Sequence, residues 1–106
     1  MINAKEELLN FVSKSDGGKN KVVKIKCVEI NFPSRELNIF LKVGYSISEF
    51  ENFMSKLDIM YDNGYGGQEL YGTVWLDNNT WLTRGEYDGS EWWKHHKLPQ
   101  IPRYLK

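Results

Sequence analysis

Three strand-like runs follow one another between residues 70 and 96 with only turn-forming residues between them, which commits this stretch to an antiparallel sheet. Residues 70–76 and 80–87 flank Asp77, Asn78 and Asn79, and asparagine tolerates the positive φ that tight hairpins need. Taking Asn78-Asn79 as a two-residue loop pairs Leu76 with Trp81, Val74 with Thr83, Gly72 with Gly85 and Leu70 with Tyr87 on one face. Trp75 then pairs with Leu82, Thr73 with Arg84 and Tyr71 with Glu86 on the other. A second turn at Asp88-Gly89 returns residues 90–96 alongside, setting Trp92 beside Gly85 and Trp93 beside Arg84.

All four tryptophans, Trp75, Trp81, Trp92 and Trp93, fall within nineteen positions of this sheet. Side chains alternate between faces along a strand, so the register sends Trp81 and Trp92 to the core with Leu70, Val74 and Leu76, Trp92 covering the bare glycines. Trp75 and Trp93 fall on the opposite face with Tyr71, Arg84, Glu86, Glu91 and His95. Aromatics mixed with charges in this way resemble an interface hot spot more than a packed interior. Tyr71, Trp75, Arg84, Glu86 and Trp93 are therefore the candidate binding residues. A competing reading makes Trp75 and Trp93 structural, covered by the C-terminal tail, with Arg84 stacked on Trp93 as a cation–π pair.

The rest of the chain supplies the other layer. Asn3 followed by Glu6, with Ala4, Leu8, Phe11 and Val12 at helical spacing, predicts a helix over residues 3–14, ended by Asp16, Gly17 and Gly18. Residues 21–32 alternate as a strand, with Val23, Ile25 and Cys27 inward before the phase changes to Val28, Ile30 and Phe32. A bulge near Cys27 accounts for the slip. Pro33 and Ser34 turn the chain into a second strand marked by Leu37, Ile39, Leu41 and Val43, forming a hairpin with the first. Ser46 with Glu49 reads as a capping box and Tyr45 with Phe50 as a hydrophobic staple, opening a helix whose Ile47, Phe50, Phe53, Met54 and Leu57 face the core. The expected fold is a single α+β domain over residues 1–106 in the order α-β-β-α-β-β-β, a mainly antiparallel sheet with helices packed on one face.

At 106 residues the chain has the length of one domain, and its 41% hydrophobic and 26% charged residues suit one that folds alone. No apolar run nears the roughly 18 residues that a membrane span needs, and Met1 to Glu7 lacks a secretory pattern, so a soluble, cytoplasmic protein with no membrane partner is expected. Fourteen basic and fourteen acidic side chains cancel, which speaks against a general nucleic-acid binder. The charge is uneven: the balance is +2 over residues 1–50, −6 over 51–93 and +4 over 94–106. The acidic middle block could steer a basic partner.

Motifs for chemistry are sparse. The glycines of residues 61–67 make a turned loop, but no Lys-Ser or Lys-Thr follows, so a phosphate cradle is not expected. His95 and His96 are neighbours on a strand and point to opposite faces, too few ligands for a catalytic zinc site with Glu91 and Asp88. Cys27, the single cysteine, excludes an intrachain disulfide and sits mid-strand, where a buried, inert thiol is expected. Glu86 and Glu91 face each other across the Asp88-Gly89 turn, with Arg84 placed to neutralise Glu86. No catalytic residue, metal or cofactor is assigned. Lys14, Lys19, Lys21, Lys24 and Lys26, together with Lys94, Lys97, Arg103 and Lys106, would form a basic patch beside the aromatic face if the two groups meet, an arrangement suited to single-stranded nucleic acid.

Residues 64–102, and especially Trp-Leu-x-Arg-Gly-Glu-Tyr-Asp-Gly-Ser-Glu-Trp-Trp at 81–93, resemble the C-terminal part of small uncharacterised proteins encoded by bacteriophages and prophages. The likeness implies no activity and carries no catalytic residue. It implies a context, the host cytoplasm, in which small phage proteins often inhibit host restriction or CRISPR nucleases. The expectation is thus a non-enzymatic protein-binding module of phage type, acting on a host or phage protein. A nucleic-acid-binding accessory protein is the alternative.

Overall fold

The computed structural model describes residues 1–14, 24–64 and 66–106. Among them the elements run β1 (Ile2–Asn3), α1 (Ala4–Ser13), β2 (Ile25–Phe32), β3 (Leu37–Leu41), α2 (Ile47–Leu57), β4 (Met60–Tyr61), β5 (Tyr71–Leu76), β6 (Trp81–Tyr87) and β7 (Ser90–His96), with short 3-10 turns at Pro33–Arg35 and Arg103–Leu105. This is the expected α+β order with two two-residue strands added, β1 and β4, which pair with each other. The helix stop expected at residues 16–18, the strand start at 21–23, Lys19 and Lys21 lie outside the described residues.

Both helices begin where their caps dictate. The Asn3 side chain accepts from the Glu6 amide at 3.0 Å and its own amide donates to Asp58 Oδ1 at 2.7 Å, so one residue caps α1 and ties it to the end of α2. Ala4, Leu8 and Val12, four apart, form the buried stripe of α1. At α2 the Ser46 hydroxyl and Glu49 carboxylate make the reciprocal capping box, and Tyr45 stacks on Phe50 with ring centroids 5.6 Å apart. Phe53 and Leu57 are buried, and Phe50 and Met54 pack partly against the core. Ile47, expected inside, is 80% exposed: it opens the helix, where the inward place is taken by Tyr45, whose hydroxyl donates to the Ile25 carbonyl. Val43 is also exposed, because β3 ends at Leu41 and the chain turns at Gly44, φ +81°.

Five strands form one antiparallel sheet in the order β3-β2-β5-β6-β7. Ile25 pairs with Leu76 but Cys27 with Trp75, so Lys26 is the extra residue of a bulge that keeps both Ile25 and Val28 on the core side. At Gly72, φ +153°, a Cβ would stand 2.3 Å from the Glu29 carbonyl oxygen; only glycine lets β5 approach β2 this closely.

The Asp88-Gly89 turn is the expected two-residue type, both residues at positive φ and Tyr87 opposite Ser90. The first turn is not. Trp75 pairs with Trp81, Val74 with Leu82 and Thr73 with Thr83, one residue away from the expected register. The loop has three residues, Asp77 to Asn79, with Asn79 alone at positive φ, and the Leu76 amide donates to the Thr80 carbonyl at 2.9 Å. Asp77 causes the shift, because its amide donates to the Lys24 carbonyl and its carboxylate accepts from the Lys24 amide. Asp77 is thus held by the chain entering β2 and drops out of the hairpin ladder, while Asn78 Oδ1 accepts from the Thr80 amide and hydroxyl.

A one-residue slip moves every side chain of a strand to the other face. The buried face therefore carries Val28, Ile30, Ile39, Leu41, Val74, Leu76, Leu82 and Trp93, packed with Ala4, Leu8, Phe53 and Leu57 from the helices. Trp81 and Trp92, expected in the core, stand on the opposite face.

Candidate docking face

Cross-strand pairing arranges the side of the sheet away from the helices in rows. One row runs Cys27, Trp75, Trp81, His96 across β2, β5, β6 and β7. The next runs Phe40, Glu29, Thr73, Thr83, Lys94 and spans all five strands. Beyond it lie Asn38, Asn31 and Tyr71 on one side and Gly85 with Trp92 on the other. A polar stripe is thus flanked by aromatics.

No helix among the described residues covers this face. Phe40 is 60% exposed, Tyr71 43%, Trp75 41% and Trp92 41%. The aromatics are nevertheless positioned. Trp92 lies over Gly85, where a Cβ would meet its indole at 2.7 Å. Trp81 stacks on His96 with centroids 5.7 Å apart and planes 13° from parallel, and His96 Nε2 is 2.6 Å from the Thr83 hydroxyl. Lys26, displaced by the bulge, shares a shallow hollow with Trp75, Trp81 and Leu98. Residues 97–106 are exposed, so the tail does not seal Trp75. Cys27 is half-buried on this face and not in the core.

The five candidate residues are divided between the faces. Tyr71 and Trp75 are on the open face. Arg84 and Trp93 are on the helix side and buried, Trp93 at 2% exposure and the Arg84 side chain likewise; the register slip carried β6 and β7 over together. Glu86 is exposed at the end of β6, where its carboxylate accepts from the Gly89 amide. Arg84 does not neutralise Glu86. Its Nη2 donates to Glu91 Oε1 at 2.6 Å and to the Tyr61 hydroxyl at 2.9 Å, and its Nη1 lies 3.5 Å from Glu7 Oε1. The guanidinium sits 4.8 Å from the Trp93 ring centroid, which makes Arg84 and Trp93 the structural cation–π pair of the competing reading.

This buried cluster closes on itself. Glu91, with no exposed side chain, also accepts from the Glu69 and Leu70 amides at 2.7 and 3.1 Å, and the Tyr61 hydroxyl donates to Glu7. Burial, reinforced by the hydrogen bond to Glu7 and opposed by Arg84, pushes the Tyr61 hydroxyl far above the usual phenol range, so it stays protonated. Arg84 Nε and Trp93 Nε1 find no hydrogen-bond partner among the described residues, a cost set against the ion pairs and the ring contact. The contacts fix the β6–β7 hairpin to α1, β4 and the segment before β5.

His95 and His96 project to opposite faces, as expected from neighbouring strand positions, and do not converge. His95 Nε2 is 2.8 Å from the Thr80 hydroxyl, and burial, with Lys97 and His96 adding to it, lowers its pKa below the ordinary histidine value. Sequence reasoning missed Phe40, Trp81, Trp92 and His96 as members of the open face. The signal that could have found the last three was Asp77, a third turn residue able to lengthen the hairpin loop.

No family model matches the chain, and no curated protein and no solved structure matches it.

Proposed function

We propose that the protein is a non-enzymatic protein-binding module that docks its partner on the open face of the sheet. One observation carries the reading: Phe40, Tyr71, Trp75 and Trp92 stand exposed on a face that no helix among the described residues covers. Large rigid aromatics beside hydrogen-bonding groups are the composition of an interface centre. Strands spaced about 4.8 Å apart and rising about 3.4 Å per residue give this face a footprint on the order of 400 Å², with aromatics on either side of a polar stripe. An inhibitor of a host defence nuclease is the narrower form of this reading, and it rests only on the likeness over residues 64–102, strongest at 81–93.

The test uses one identified partner and three variants. Trp75→Ala and Tyr71→Ala, at the open face, should weaken binding at least tenfold, while Ile47→Ala, exposed on the helix layer, should leave it unchanged. Retained affinity in Trp75→Ala and Tyr71→Ala would overturn the reading. The nucleic-acid alternative draws on one specific observation, Lys26 beside Trp75 and Trp81. It predicts tryptophan quenching by a single-stranded oligonucleotide with an affinity that falls linearly in log–log form as salt rises.

A further inference from the structure

We infer that the occupant of the open face is a second copy of this chain, packed sheet against sheet about a two-fold axis. The inference rests on the docking role proposed above and names the partner.

Its basis is the order of residues in the row that spans all five strands. Thr73 and Thr83 stand side by side in it, on β5 and β6. One strand outward on either side stand Glu29, on β2, and Lys94, on β7. Both are exposed, and neither has an ion-pair partner among the described residues. A two-fold axis parallel to the strands and midway between β5 and β6 exchanges Glu29 and Thr73 with Lys94 and Thr83, and leaves Phe40, on β3, outside the overlap. It sets Glu29 against Lys94 of the second copy, Lys94 against its Glu29, and each Thr73 against a Thr83. In the neighbouring row the same axis sets Trp75 against Trp81 and Cys27 against His96. An isologous interface requires a surface complementary to itself, and a face with charges of opposite sign at equal distances from one axis has that property.

Dimensions and charge agree with this packing. Stacked sheets lie about 10 Å apart, a gap that indoles from both sides fill. Packed sheets cross at about 30°, which displaces a group about 7 Å from the axis by about 4 Å, within the span of a lysine side chain. Equal numbers of acidic and basic residues leave the copies without net repulsion.

The test is sedimentation equilibrium of the full chain from about 1 to 300 μM at low salt. The wild type should dimerise. Glu29→Lys and Lys94→Glu should each weaken the dimer at least tenfold, because each variant opposes like charges at both contact points. Mixing the two variants should restore association, since one then offers only positive and the other only negative groups. The double variant Glu29→Lys/Lys94→Glu should dimerise within about threefold of wild type. Both positions are exposed, and circular dichroism checks that the fold is kept. A wild type that stays monomeric at 300 μM overturns the inference, as does a dimer indifferent to both charge changes and to Trp75→Ala. A monomer whose binding to a different protein is lost in Trp75→Ala would end this inference while sustaining the docking reading. Loss of neither association nor heterologous binding in Trp75→Ala would end both.

Discussion

Strands β6 and β7 carry aromatic residues to both sides of one sheet, and the two sides use them in opposite ways. On the helix side Trp93 is sealed, Arg84 lies across its ring, and the guanidinium is divided between Glu91, Glu7 and the Tyr61 hydroxyl. On the other side Trp92 rests on a bare glycine and Trp75 meets solvent. Charge is committed inward on one face, and on the other Glu29 and Lys94 have no ion-pair partner among the described residues. Aromatic and charged composition therefore does not by itself mark a binding surface. What separates a clamp from a docking face is whether the polar partners are already satisfied within the chain.

The sharpest break between the faces comes from Arg84→Ala. It leaves the Glu91 carboxylate and the Glu7 contact in place without their cation, and removing one partner of a buried ion pair costs about 3–5 kcal/mol. The loss of the Trp93 contact sets the expected value at the upper end of that range. Urea unfolding measures it, and a loss under about 1 kcal/mol would mean that the cluster does not hold β6–β7 to the helices.

The paired substitution Trp93→Ala and Trp75→Ala compares the faces with chemistry held constant. Trp93→Ala should cost about 3 kcal/mol or more, as buried aromatic truncations do. Trp75→Ala, at a position 41% exposed, should cost under about 1 kcal/mol in the monomer. Equal losses would put both indoles in the core and remove the open face.

Local chemistry was legible and long-range chemistry was not. The caps at Asn3 and Ser46, the bulge beside Cys27 and the Asp88-Gly89 turn each depend on residues a few positions apart, and each is where the sequence pattern put it. The register of β5 with β6 depends on Asp77 bonding Lys24, 53 positions away: the sequence shows Asp77 as a third turn residue but not the partner that draws it out of the ladder. One misplaced residue was enough to exchange Trp81 and Trp92 with Arg84 and Trp93 between the faces. Strands β1 and β4 were invisible for a different reason: two residues cannot display an alternation. Tyr71 and Trp75 kept their assigned face because the slip acted after them.

The smallest effect sharpens the comparison at the edge of the closed face. His95 shares that face with Leu82 and sits against Thr80, and burial together with Lys97 and His96 disfavours its charged form. Its pKa in the folded protein is lowered from 6.5, so as pH falls through 6.5 the unfolded chain takes up the proton first. The stability due to neutral His95 is therefore fully present above about 6.5 and is lost as pH falls through the lower folded value. Urea midpoints measured from pH 7.5 down to pH 5 should decline in the wild type, and the decline should be shallower in His95→Gln. Parallel curves for the two proteins would show that His95 is as well solvated in the folded chain as in the unfolded one, and would move the boundary of the closed face inward to Leu82.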